Sequence, residues 1–212
     1  MKNYIFVDSP FEIISKREEK FYQDFCTAES LTPIQKINIC DFDDMFGFSY
    51  GVEYATHNSN YFFRHKENPT SMMFANEDWT KVSVCRGVNG EYSNELVVTA
   101  VYSRLCSLNT ALIHASYIDY NGTGIVFTGP SGIGKTTQAE LWEKHRNATI
   151  VNGDKVFVRL VDDKFYAYGS PWKGSSTYGI NHKSELKGIV VLLQSENNRI
   201  RKLNDIEATQ FF

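Results

Sequence analysis

Gly129-Pro130-Ser131-Gly132-Ile133-Gly134-Lys135-Thr136 is a complete Gly-x4-Gly-Lys-Thr run. In such a loop the glycines let backbone N–H groups turn inward around phosphate oxygens, which side chains at those positions would obstruct. Lys135 is placed to neutralise the outer phosphates, and the Thr136 hydroxyl to ligate Mg2+. The expected nucleotide contacts are Gly129, Ser131, Gly132, Ile133, Gly134, Lys135, Thr136 and Thr137. Upstream, Gly124-Ile125-Val126-Phe127-Thr128 is a short apolar run suited to a buried strand. Downstream, Thr137-Gln138-Ala139-Glu140-Leu141-Trp142 has helical character. Strand, loop and helix thus come in the order that sets an anion on a positive helix N-terminus. ATP with Mg2+ is the expected ligand.

Outward from the loop, residues 111–120 alternate apolar and polar positions and read as a strand, which Asn121-Gly122 then turns sharply. Asn-Gly between two apolar runs is a hairpin signal, so the strand entering the loop is expected to pair antiparallel with its predecessor. The all-parallel cores of small GTPases and nucleotide kinases need helical crossovers there instead. Beyond the helix, Ala148-Thr149-Ile150-Val151 is a strand candidate ending in Asn152-Gly153-Asp154. A second hairpin turns at Asp162-Asp163-Lys164, which reads as a turn rather than a carboxylate pair. Residues 169–179 read as a loop. There, Trp172, Lys173, Ser175 and Ser176 either face a phosphate acceptor or are plain surface. A buried strand is expected over 188–193, a last short strand over 199–203, and a helix start at Asn204 or Asp205. Trp142 is expected in the core.

The first 93 residues read as β-structure with one or two helices. Lys16 to Ala28 places Phe21, Tyr22 and Phe25 on one helical face. Ile37 and Ile39, then Val82 and Val84, alternate with polar neighbours as half-buried strands do. Tyr61-Phe62-Phe63 and Ser71-Met72-Met73-Phe74 flank an Asn68-Pro69 turn, and their aromatics read as core. A helix is expected over 94–108, capped by Ser93 or Asn94. The expected division is a β-rich region over 1–109 and a nucleotide-binding region over 110–212.

The 212 residues carry a formal charge of -3, which gives no global basic field for nucleic acid. Cys26, Cys40, Cys85 and Cys106 are widely separated, with no Cys-x-x-Cys and no zinc-type His spacing. The longest aliphatic run, Ile189-Val190-Val191-Leu192-Leu193, is too short to span a bilayer, and the N-terminus lacks an apolar stretch of secretory length. A soluble cytoplasmic protein, with no membrane and no nucleic-acid partner, is the expectation.

Three stretches together resemble the HPr kinase/phosphorylase and ATP-dependent phosphoenolpyruvate carboxykinase superfamily. They are Ile113-His114-Ala115, the run from Gly129 to Thr137, and Val151-Asn152-Gly153-Asp154-Lys155-Val156, extended by Gly169-Ser170-Pro171-Trp172 and the strand from Gly188. The resemblance covers about 110–205 and is nearer to small HPr-kinase-like proteins than to the full-length enzyme. It implies an α/β (α+β) fold: a P-loop kinase domain with a mixed sheet, preceded by the β-rich region. It also implies that His114 lies beside the triphosphate, and that Asp154 is the base for the acceptor hydroxyl or a Mg2+ ligand. With Lys135, these are the candidate catalytic residues, and Thr136 and Asp154 the candidate metal ligands. Read without the family, a lone His on an apolar strand is a satisfied core residue, an Asp past a strand end caps a turn, and Lys155 either touches phosphate or is a solvent-facing strand lysine.

Two departures stand out. The family carries adjacent aspartates where this chain has Gly153-Asp154, and it continues for several elements beyond the point where this chain ends, so the nucleotide-binding region is expected to be incomplete. The implied activity is transfer of the γ-phosphate to a hydroxyl, such as a serine of a small protein or peptide. The alternative is a nucleotide-binding module with little or no transfer. No Asn-Lys-x-Asp follows the loop to read guanine, no Leu-Ser-Gly-Gly marks a transporter ATPase, and the further residues of a carboxykinase are missing.

Overall fold

The structure, a computed structural model, describes residues 1–41, 60–87 and 92–210. Parts of the expected β-rich region, 42–59 and 88–91, lie outside the described residues, as do 211–212. Two mixed sheets and few helices make up the rest, in keeping with the α/β reading.

The first sheet has seven strands: β1 (Lys2–Phe6), β2 (Ser9–Ser15), β3 (Cys26–Thr27), β4 (Gln35–Asp41), β5 (Tyr61–Arg64), β6 (Met72–Ala75) and β7 (Lys81–Arg86). Their order is β3-β1-β2-β4-β7-β6-β5, with β2, β4 and β7 parallel and the flanking pairs antiparallel. The expected alternation holds: Ile37, Ile39, Val82 and Val84 are buried. They face α1 (Ser93–Cys106), whose Leu96, Val97, Ala100, Val101 and Leu105 complete the core.

Several local readings change. Lys16–Ala28 is not a helix; only a 3-10 turn forms over Lys20–Phe25, with Tyr22 and Phe25 buried and Phe21 exposed. Glu19 is held by Arg86 and by the Ser15 hydroxyl, and the chain leaves extended to pair with β1. Tyr61, Phe62 and Phe63 are exposed rather than core, because β5 is the sheet's edge, where Tyr61 stacks on Trp79. Helix α1 is entered through Tyr92 in the left-handed region, with no side-chain cap. Asn94 is engaged elsewhere: its side chain accepts from the Tyr22 hydroxyl.

The second sheet comprises β8 (Thr110–Tyr120), β9 (Thr123–Thr128), β10 (Thr149–Asn152), β11 (Lys155–Val161), β12 (Lys164–Tyr168) and β13 (Lys183–Val191). Both expected hairpins form, with Asn121-Gly122 and Asp162-Asp163 at positive φ as tight primed turns require. The pairings run β8–β9, β9–β13, β13–β12, β12–β11 and β11–β8, so five strands close into a barrel. Only β9–β13 is parallel.

Period-two alternation then sorts the side chains. Ala115, Tyr117, Val126, Val156, Val158 and Ala167 fill the interior. On the outer face, Ile118, Phe127 and Ile150 pack under α2 (Lys135–Arg146), while Phe157 and Tyr168 join the core of the first sheet. Trp142, on α2 itself, is partly buried against this layer and meets Tyr120 edge-on.

The expected strand over 199–203 is absent: Ile200 is exposed, and both edges of β13 are already taken by β12 and β9. The short helix α3 (Asp205–Thr209) does start at Asn204, through a capping box with Glu207. No described helix is long and apolar enough to cross a membrane.

Candidate functional site

Strand β8 organises the site because it is paired along both edges. On one edge, β10 and β11 form a nearly continuous antiparallel partner, broken by a bulge after Ile150 and by the turn 152–154. On the other edge lies β9, whose last residue, Thr128, is opposite Ala115. The end of β9 and the 152–154 turn therefore flank the same three residues of β8, His114 to Ser116.

From Thr128 the chain passes through 129–134 into α2. Gly129, Gly132 and Gly134 have positive φ values of 144°, 79° and 105°, which L side chains rarely adopt. Gly129 also packs closely, since a Cβ there would lie 3.0 Å from the Leu192 carbonyl oxygen. Ser131 and Gly132 are exposed, Ile133 and Gly134 partly so, and Thr137 is exposed on the first turn. Lys135 is buried, and its Nζ donates to the carbonyls of Gly129 and Pro130, 3.1 Å each. The Thr136 hydroxyl lies 3.4 Å from that of Ser116, a fully buried residue of β8.

Across β8, His114 Nδ1 is 2.9 Å from Asp154 Oδ1, and Lys155 Nζ is 2.8 Å from Asp154 Oδ2. The His114 ring is 55% exposed and the Asp154 side chain 15%. The Thr128 hydroxyl donates to the His114 carbonyl at 3.1 Å, which ties this pair to the entry of the 129–136 loop. The Ala115 N–H donates to the Asp154 carbonyl at 2.8 Å.

The turn carrying Asp154 is built on Asn152, which is fully buried. Its Oδ1 accepts from the N–H groups of Asp154 (2.8 Å) and Lys155 (2.9 Å), and its Nδ2 donates to Ser170 O (2.8 Å). The 169–179 loop folds over this turn. A Cβ on Gly174 would lie 2.8 Å from the Asp154 carboxyl carbon, and one on Gly153 would lie 2.7 Å from Ser176 Cβ. Gly153 thus leaves room for Ser176 where an aspartate would not. Trp172 is not a surface or acceptor-facing residue. It is buried against Phe6, Tyr22 and Phe157, and its Nε1 donates to Asn94 O.

Of the residues that build the site, Ser116 and Gly174 carry no signal of their own in the sequence, whereas Asn152 and Ser170 lie in stretches that carry the resemblance and Ser176 in the loop expected to face either an acceptor or solvent. Among the described residues, no group of three or more His, Cys, Asp or Glu is arranged to hold a metal ion.

No family model and no curated protein matches the chain. Among solved structures, it is similar to the HPr(Ser) kinase/phosphatase from Coxiella burnetii, at 14% identity and a TM-score of 0.34. That match covers 45% of this chain and 66% of the other, just under two thirds of its length.

The features a triphosphate would use are the positive-φ glycines, the Lys135 ammonium held on the carbonyls of Gly129 and Pro130, and the helix of about three turns that begins at the loop's end. The Thr136 hydroxyl would supply an oxygen ligand to Mg2+, a hard cation that takes oxygen donors.

Proposed function

We propose that this chain is a P-loop phosphotransferase of HPr-kinase-like type, which moves the γ-phosphate of Mg-ATP to a hydroxyl, such as a serine on a small protein or peptide. The observation that carries the proposal is the joining of the loop and the His114–Asp154 pair through three consecutive residues of β8. Phosphoryl transfer needs little covalent chemistry from a protein; it needs charge neutralisation and a positioned acceptor.

Lys135 leaves the carbonyls of Gly129 and Pro130 to meet the outer phosphates, and the loop N–H groups hold the rest. Mg2+, when bound, withdraws charge from the phosphates. Asp154 holds Nδ1 of His114, which leaves Nε2 as the acceptor for the hydroxyl proton. The pair acts together as the base, with Asp154 stabilising the imidazolium that results. Lys155 adds positive charge beside Asp154.

One observation favours the second reading, a binding module without transfer. Both Asp154 oxygens are already engaged, and Gly174 leans on the carboxylate.

Calorimetric titration of Mg-ATP into the wild type and Lys135→Ala is the first test. Binding that is lost in the variant supports the loop's role, and a folded wild type that does not bind ends the proposal. Labelled phosphate then separates the two readings. Transfer that drops about a hundredfold or more in Asp154→Asn and His114→Gln supports the kinase. Binding without any turnover supports the module.

A further inference from the structure

We infer that Ser175 is a phosphate acceptor within the chain itself, so that the protein phosphorylates its own 173–177 loop. The inference rests on the proposed phosphotransferase reading and names a substrate for it. Lys173-Gly174-Ser175-Ser176-Thr177 places three hydroxyls in a row on the loop that covers Asp154. The chain touches the carboxylate at Gly174, where a Cβ would meet Asp154 Cγ, Oδ2 and Cβ at 2.8, 3.0 and 3.1 Å. Gly174 has φ +58°, so the absence of a side chain is what permits this approach. Ser175 is the next residue and is exposed.

The other two hydroxyls are less suited. Ser176 Oγ donates to Lys173 O (2.8 Å) and is wedged against Gly153. Thr177 lies two residues further on, with its carbonyl accepting from Lys173 Nζ (3.4 Å). An external acceptor would have to come beside Asp154, where the loop already lies at Gly174. Lys155, paired with Asp154, and Lys173, whose Nζ donates to Thr177 O on the same loop, carry the positive charge that phosphoryl transfer uses.

In the step, Ser175 Oγ forms a bond to the γ-phosphorus while the bond from that phosphorus to the β–γ bridging oxygen breaks. The hydroxyl proton passes to the His114–Asp154 pair, and the nucleoside diphosphate leaves with the bond's electron pair.

The test incubates the full chain with γ-labelled Mg-ATP, follows intact mass and maps the phosphopeptide, with calorimetry of Mg-ATP on the same preparation. The expected result is a single phosphate on Ser175, formed with a first-order rate constant independent of protein concentration. It is lost in Ser175→Ala, kept in Thr177→Ala, and slowed about a hundredfold or more in Asp154→Asn. Mg-ATP binding with no phosphate on the chain overturns the inference and leaves the nucleotide site standing. Phosphate mapped to any other residue, or a rate constant for fractional labelling that rises with protein concentration, also overturns it. Absence of Mg-ATP binding removes both the inference and the reading beneath it.

Discussion

Asn152 is buried beneath the 152–154 turn with both ends of its amide in use, two N–H groups on one end and Ser170 on the other. Asn152→Ala strands those partners in the interior. An unsatisfied buried polar group costs about 1–3 kcal/mol, so a loss of about 2–4 kcal/mol is expected in urea unfolding, seen as a lower midpoint at unchanged slope. Gly153 is constrained in the opposite sense. Gly153→Asp supplies the carboxylate of the resembled family but drives it into Ser176, at an expected cost of about 1–3 kcal/mol. Ser176→Gly in the same chain should return most of that loss, and a double-mutant cycle measures the coupling. If the two substitutions prove additive, the contact does not constrain position 153.

These residues also mark what the sequence could disclose. The loop, His114 and Asp154 stand out because their spacing is fixed by chemistry. Asn152 and Ser176 act through partners 18 and 23 residues away along the chain, which no local pattern encodes.

At the scale of elements, hairpins were legible and closure was not. Asn121-Gly122 and Asp162-Asp163 specify their turns through backbone conformation alone. The return of β13 to lie parallel to β9 depends on a connection that no turn signal marks. The run 16–28 has aromatics at helical spacing, yet tertiary pairing of Glu19 with Arg86 overrides it. Trp172 is the sharpest case, since a tryptophan amid Gly, Ser and Lys reads as surface. It instead pins the 169–179 loop to the first sheet's core, with ring centroids 5.4 Å from Phe6 and 5.9 Å from Tyr22. Trp172→Ala is expected to cost about 3–5 kcal/mol. Trp172→Phe should cost less, keeping the ring contacts but leaving Asn94 O without its donor. Thermal unfolding of both variants checks this; equal losses would mean that the hydrogen bond, not the packing, fixes the loop.

Across the whole molecule, the two sheets share one apolar core. Phe157, Tyr168 and Trp172 from the second pack with Tyr4, Phe6 and Tyr22 from the first. Polar contacts reinforce it, with Arg159 donating to Val7 O (2.9 Å) and the Tyr168 hydroxyl to Asp8 (3.0 Å). Buried tyrosines lie in this shared region and inside the barrel, which gives alkaline pH a hold on both. Burial pushes the Tyr4 phenol up to about 12, with the Cys26 and Glu18 charges adding to the effect. Burial also raises Tyr22, Tyr117 and Tyr168. The native state therefore keeps these protons at a pH where the unfolded chain, with tyrosines near 10, has released them. Stability is fully present below about pH 10 and falls as pH rises toward 12 and beyond. Because the tyrosines belong to both sheets and the core joins them, phenolate absorbance of the buried rings and loss of circular dichroism should rise in one coincident transition. Tyr4→Phe should move its midpoint to higher pH while leaving stability at neutral pH nearly unchanged. Two separated transitions would show that the sheets unfold independently despite the shared core.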